Sequence, residues 1–261
     1  VQALALHEGA IVVRSAKWQT TCTILHGGDE TFIIDSPVYP DELDALPGIV
    51  AQADWGVSGL LATHGDWDHL LGRLAFPDAA LGVCETTAAR LRAEPGAAQR
   101  RLREVDAKDY VERPGPLSLG HVQAIAVPGY LGLGKHELEL QPADGHTQDG
   151  MFIFSPEHAV LCPGDYLSPC EIPMISEGGS LDGYLATLRR LEEYVERAAW
   201  VVPGHGAPID PQRAAAILRE DVAYLEALAQ HGAAAPLPLA RRGAPMENIH
   251  ADNVARVAGT H

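Results

Sequence analysis

"LLATHGDWDHLLG", residues 60–72, ends an apolar run at His64 and sets Asp66, Asp68 and His69 directly behind it. Two imidazoles and two carboxylates so close together desolvate and repel one another if they are buried without a cation. The stretch reads as a buried strand that stops at the edge of a metal site.

Three other segments share its form, an apolar run followed by glycine and a ligand-type side chain. They are "ADGHTQDG" with His146, "AVLCPGDY" with Asp165, and "WVVPGHGAP" with His205. Glycine lets the backbone turn sharply at a strand end, so that the neighbouring side chain points into a shared cavity. Taken singly, His146, Asp165 and His205 read as ordinary loop residues. Two divalent ions a few Å apart, however, need about six or seven protein ligands, and with His64, Asp66, Asp68 and His69 these positions supply seven.

Outward from the motif, "ALAL", "AIVVRSA", "TCTILHGG" and "TFIIDS" read as short antiparallel strands, the last two joined by a "GGDE" turn. "DELDALPGIVAQA" reads as a helix broken near Pro47 and Gly48, and residues 86–106 as an Ala- and Arg-rich helical stretch. "ALGVCE", "HVQAIAVPG", "HELELQP" and "DGMFIFSPEHAVLCPGD" supply further strands, and "GYLGLGK" reads as a glycine-rich turn. "SLDGYLATLRRLEEYVERA" places Leu185, Leu188, Leu191 and Val195 on one helical face. A long helix from Pro211 and a short one near residues 246–258 close the chain. The pattern predicts sheets packed together and covered by helices on their outer faces.

The 261 residues, 46% of them hydrophobic, suffice for a substantial core, and no Ser/Gly-rich linker divides them. A single domain over 1–261 is expected, with the motifs in a core of about 20–210 and helices over 210–261. A net charge of −16, from 19 basic against 35 acidic residues, argues against a nucleic-acid partner. Cys22, Cys84, Cys162 and Cys170 form no C-x-x-C pair, which fits a reducing compartment. No apolar run approaches the roughly 20 residues of a membrane helix, and the "VQALALHEGA" start lacks signal-peptide order. A cytoplasmic chain without a membrane partner is expected.

In their order, "FIIDSP" with Asp35, "THGDWDHLLG", "GHTQDG", "GDY" and "VPGHG" resemble the metallo-β-lactamase superfamily over roughly residues 20–210. The resemblance implies an α/β (α+β) fold, an αββα four-layer sandwich of two mixed β-sheets flanked by helices. It implies a binuclear metallohydrolase in which a metal-bridging hydroxide attacks an ester, thioester, lactone or related bond. By position, His64, Asp66 and His146 hold the first ion and Asp68, His69 and His205 the second, with Asp165 bridging. Asp35 then orients the metal-binding loop from behind.

Asp66 departs from the family, whose commonest motif has histidine there. With Asp66, Asp68, Asp165 and one hydroxide, about four negative charges face the four positive charges of two divalent ions. That weakens the pull on an anionic substrate. Zinc remains the first choice of cofactor, with iron or manganese admitted by the added oxygen ligand. The alternative function is accordingly a non-haem iron oxidoreductase on the same fold, lacking the flavin domain of the flavodiiron enzymes.

Beside the ligands, Tyr166 is a candidate hydrogen-bond donor to a developing oxyanion, in a catalytic set with Asp68 and Asp165. "LSPCEIPMI", residues 167–175, is too apolar for a free loop and reads as a pocket wall, in which Ile172, Met174 and Ile175 favour a small-molecule substrate with an apolar portion. Trp67 and His250 are further pocket candidates. Glu171 reads as a solvated carboxylate, Cys170 as a small buried thiol, and Arg241 and Arg242 as solvated loop residues.

Overall fold

A computed structural model describes residues 2–259. Strands β1 (Gln2–His7), β2 (Ala10–Arg14), β3 (Thr21–Gly27) and β4 (Glu30–Asp35) run antiparallel in sequence. Then β5 (Gly59–Leu61), β6 (Leu81–Cys84) and β7 (Val122–Ile125) add in parallel, giving a seven-stranded sheet in chain order. The crossovers carry helices α1 (Pro40–Gln52), α2 (Gly72–Ala75), α3 (Glu85–Ala93) and α4 (Ala97–Asp109).

The second sheet has the order β12-β11-β10-β9-β8. It is built from β8 (Gly129–Leu133), β9 (His136–Pro142), β10 (Met151–Ser155), β11 (Val160–Cys162) and β12 (Trp200–Val201), with only β11 and β12 parallel. Helices α5 (Leu181–Arg197), α6 (Pro211–His231) and α7 (Ala244–Ala258) belong to this half.

Side-chain alternation along the strands divides the core into layers. In β10, Phe152 and Phe154 join the cluster that holds Leu188 and Leu191 of α5, while Met151 and Ile153 face inward with Leu25 and Ile34 of the first sheet. Ile24 and Ile33 of that sheet turn the other way, onto Leu43 and Leu46 of α1. The result is the αββα arrangement expected from the sequence. Among the described residues, no helix is long and apolar enough to cross a membrane.

Three local readings change. Helix α1 runs unbroken through Pro47, because Pro47 and Gly48 lie on its exposed side while Leu43, Leu46 and Val50 anchor the buried side. The stretch over 86–106 is two helices, α3 and α4, separated at Glu94–Gly96, where Gly96 takes a left-handed φ of 78°. "GYLGLGK" is mostly strand β8, paired with β9 from Gly129 to Leu133, and only Gly134 and Lys135 make the turn.

Candidate metal centre

The seven candidate ligands sit on loops that follow β5, β9, β11 and β12. Past β5 the chain reaches His64 and then winds one 3-10 turn over Trp67–His69, with Asp66 at its N-cap and Asp68 and His69 within it. Past β12, Gly204 makes room for the centre. A Cβ there would stand 2.2 Å from Asp165 Oδ1 and 3.0 Å from His69 Cε1.

Three imidazoles are oriented by a hydrogen bond at Nδ1, and His69 by the nearby Asp35 carboxylate, which leaves Nε2 of each for the centre. His146 Nδ1 donates to Met174 O at 2.7 Å and His205 Nδ1 to Trp18 O at 3.2 Å. Thr63 Oγ1 gives its proton to Asp35 Oδ2 at 2.9 Å and so accepts from His64 Nδ1 at 3.1 Å. His69 Nδ1 lies 3.1 Å from Asp35 Oδ2. Asp35 also accepts from the Thr63 amide at 2.8 Å, so it braces both ends of the motif without facing the centre.

The Nε2 atoms converge on the carboxylates in two groups. Asp66 Oδ2 lies 3.8 Å from His64 Nε2 and 3.7 Å from His146 Nε2. Asp68 Oδ2 lies 3.7 Å from His69 Nε2 and 3.6 Å from His205 Nε2. Asp165 reaches across both, with Oδ2 3.3 Å from His146 Nε2 and from His205 Nε2, and Oδ1 3.2 Å from His69 Nε2. Ligand atoms about 2.1 Å from an ion in a tetrahedron stand roughly 3.4 Å apart, so these separations suit cations between them. Nε2 of His64, His69 and His146 and Oδ1 of Asp165 are buried without any hydrogen-bond partner. Orphaned polar atoms of this kind cost on the order of 1–3 kcal/mol each, a cost that bound ions would remove. The donor set therefore fits divalent metal.

Electrostatics point the same way. Burial opposes it, but the Asp66 and Asp165 carboxylates raise the His146 pKa to about 8. Against the same penalty, Asp165 and Glu171 raise His205 to about 10. His69 is also raised despite its burial, by Asp165, Asp35 and Asp68. At pH 7 these imidazoles thus hold protons that a cation must displace. Metal uptake should release at least two protons per chain at pH 7, and affinity should rise by about tenfold per displaced proton per pH unit. Calorimetry in buffers of different ionisation enthalpy measures this directly, and release of less than one proton would contradict it.

Asp66 is a quarter exposed and has a cationic neighbour that the sequence did not reveal. Arg90 Nη2 donates to Asp66 Oδ1 at 2.8 Å, and Arg90 Nη1 donates to Asp149 Oδ1 at the same distance. Burial works to raise the Asp66 pKa, but His146, His64 and Arg90 together hold it below the ordinary carboxylate range. The charge that Asp66 adds is thus offset only in part, since one guanidinium serves both Asp66 and Asp149.

Around the centre lies a cleft of about 1040 Å³. Trp67 lines it while packing into the core, edge-on to Trp18, and Ile172 and Met174 line it as well. Other candidates fall elsewhere. The Tyr166 hydroxyl donates to Asp144 O at 2.8 Å and accepts from the His146 amide at 3.0 Å. Buried beneath the loop, it positions His146 and has no proton to offer the cleft. His250 turns to the Tyr224 hydroxyl and Ala233 O, away from the centre, and Ile175 is buried in the α5–α7 core. Arg241 is fully buried, donating to Glu171 O at 2.9 Å and pairing with Asp221 and Glu220, so it fastens the 168–175 wall from behind. Glu171, by contrast, does line the cleft. Burial raises its pKa, as do Asp165 and Asp68, while His205 lowers it.

The sequence profile of the metallo-beta-lactamase superfamily matches residues 16–205. A metallo-beta-lactamase family protein from Thermus thermophilus superposes with a TM-score of 0.69 at 23% identity, over 98% of this chain and 95% of that one. The DIM-1 metallo-beta-lactamase superposes with a TM-score of 0.61 at 16% identity, over 86% and 96% of the two chains. The stereoselective inverting sec-alkylsulfatase Pisa1 from Pseudomonas sp. gives a TM-score of 0.73 at 14% identity, over 99% of this chain and 50% of its own length. At these identities the likeness is one of fold. Among curated proteins none matches.

Proposed function

The chain belongs to the metallo-beta-lactamase superfamily, and from that premise we propose that it is a binuclear metal-dependent hydrolase of small esters, thioesters or lactones with an apolar portion. The observation that carries this reading is the set of buried, partnerless imidazole nitrogens facing three carboxylates. His64, Asp66 and His146 would hold one ion, Asp68, His69 and His205 the other, and Asp165 both. Divalent ions there, zinc before iron or manganese, supply Lewis acidity and a water acidified to near neutrality.

The chain's own residues do the rest. Asp35 and the carbonyls of Met174 and Trp18 fix the imidazoles, so no reorganisation is needed when substrate arrives. Trp18, Trp67, Leu91, Leu119, Met174 and Ile249 give the cleft apolar surface, suited to an alkyl or aryl group. The acidity of the chain disfavours polyanionic substrates such as nucleic acid.

A panel of acyl esters, thioesters, lactones and secondary alkyl sulfates, each in several chain lengths, tests the proposal with zinc-loaded and chelated protein. Turnover should require metal and improve with chain length. A fully loaded protein that turns over none of them, or one that isolates with iron and consumes dioxygen, would contradict it.

A further inference from the structure

We propose that Arg90 is a positioning residue of the metal centre, one that fixes Asp66 to a single inward oxygen by tying it to Asp149; this rests on the metal-dependent reading above. Arg90 lies on α3, which starts directly after β6, the parallel neighbour of the strand that leads into the motif. Its planar fork spans two carboxylates, Asp66 on one side and Asp149 on the other. Asp149 is itself held, with Oδ2 accepting from the Thr87 hydroxyl at 2.6 Å and from the Gly65 amide at 2.9 Å. Gly65 lies tight against this clamp, since a Cβ there would come within 3.0 Å of Asp149 Oδ2 and 3.4 Å of Arg90 Nη1.

Two consequences follow for Asp66. Its Oδ1 is occupied by the guanidinium, so only Oδ2 faces His64 and His146, and two-oxygen chelation of an ion is blocked. The clamp also requires a carboxylate at 66. Histidine, the commoner residue of the family there, has no second oxygen for Arg90 and would leave the Nη2 arm of the guanidinium without its acceptor, with Asp149 alone still paired to Nη1. Lysine at 90 could not replace the fork, because an ammonium is a point charge that cannot serve two carboxylates in one plane. Asp66 and Arg90 are thus a matched pair, and exchanging one residue alone should cost more than exchanging both.

The test is metal affinity by chelator competition in the wild type, Arg90→Met, Arg90→Lys, Asp66→His and Asp66→His/Arg90→Met, with circular dichroism as the control for folding. Arg90→Met should weaken one of the two ions by about 10–100-fold, the range for a partner that orients a ligand, and Arg90→Lys should recover only part of it. Asp66→His should weaken that ion at least as much, and the double variant should regain most of the loss. Equal binding by wild type and Arg90→Met, or an Asp66→His effect that is the same with and without Arg90, overturns this proposal alone. A wild type that binds no metal overturns the metal-dependent reading and this proposal together. Should the Arg90 variants not fold, nitrogen NMR of the wild-type guanidinium decides: restricted rotation supports the clamp and free rotation overturns it.

Discussion

Asp165→Ala should lower turnover on the order of 10³-fold, the upper range for one group that stabilises developing charge, and reduce bound metal from two ions per chain to one or none. Its carboxylate is the one that approaches both halves of the centre, His146 on one side and His69 and His205 on the other. The six remaining ligands would face each other across the gap it leaves, with no shared anion between the cations. The effect should be functional rather than structural. Asp165 is held through its backbone, whose carbonyl accepts from the Tyr184 hydroxyl at 3.0 Å, and alanine keeps that bond. Metal analysis and steady-state kinetics on a folded variant measure the outcome, and near-wild-type turnover would contradict the bridging role.

A second large effect is expected at Gly145, which carries no chemistry. Its φ of +119° lies where residues with a Cβ are strained, and a Cβ would stand 2.0 Å from the backbone nitrogen of Tyr184. That nitrogen belongs to the first turn of α5, whose start is fixed by the Ser180 amide donating to Gly145 O at 2.9 Å and whose Leu188 and Leu191 are buried on the sheet. Gly145→Ala must therefore strain the backbone, at about 1–3 kcal/mol, and displace packed helix, at about as much again. A loss of roughly 2–6 kcal/mol is large against a typical net stability of about 5–15 kcal/mol. Since α5 also carries Tyr184 to the Asp165 carbonyl, metal affinity should fall with it. Denaturant titration checks this, and a loss under about 1 kcal/mol would show that the helix yields more easily than its packing implies.

The residues legible in advance were those whose chemistry is strange without a partner. His64 to His69 declared a cation by crowding, and the glycines beside His146, Asp165 and His205 marked strand ends that share one edge. The order of strands and helices likewise gave the layers, although Met151–Phe154 is apolar throughout and its division between the two layers emerges only from the packing. What stayed hidden depended on neighbours distant in sequence. Arg90 read as one basic residue among several in an Ala- and Arg-rich helix, and only the parallel pairing of β5 and β6 brings that helix beside Asp66. Arg241 looked like a solvated pair-mate of Arg242, yet Asp221 and Glu220 on α6 draw it into the interior. Tyr166 failed as a donor because the Ala143 and Asp144 carbonyls, far away in sequence, were already waiting for its hydroxyl. Pro47 broke no helix because tertiary anchoring of Leu43, Leu46 and Val50 outweighs one lost backbone bond on the exposed side.

Anomalous diffraction from crystals of the metal-loaded protein addresses the arrangement most directly. Two peaks are expected, one within about 2.0–2.3 Å of His64 Nε2, Asp66 Oδ2 and His146 Nε2, the other at the same range from Asp68, His69 and His205, with Asp165 touching both. A saturated protein whose metal lies outside these side chains, or whose Asp165 carboxylate touches none of it, would contradict the centre described above.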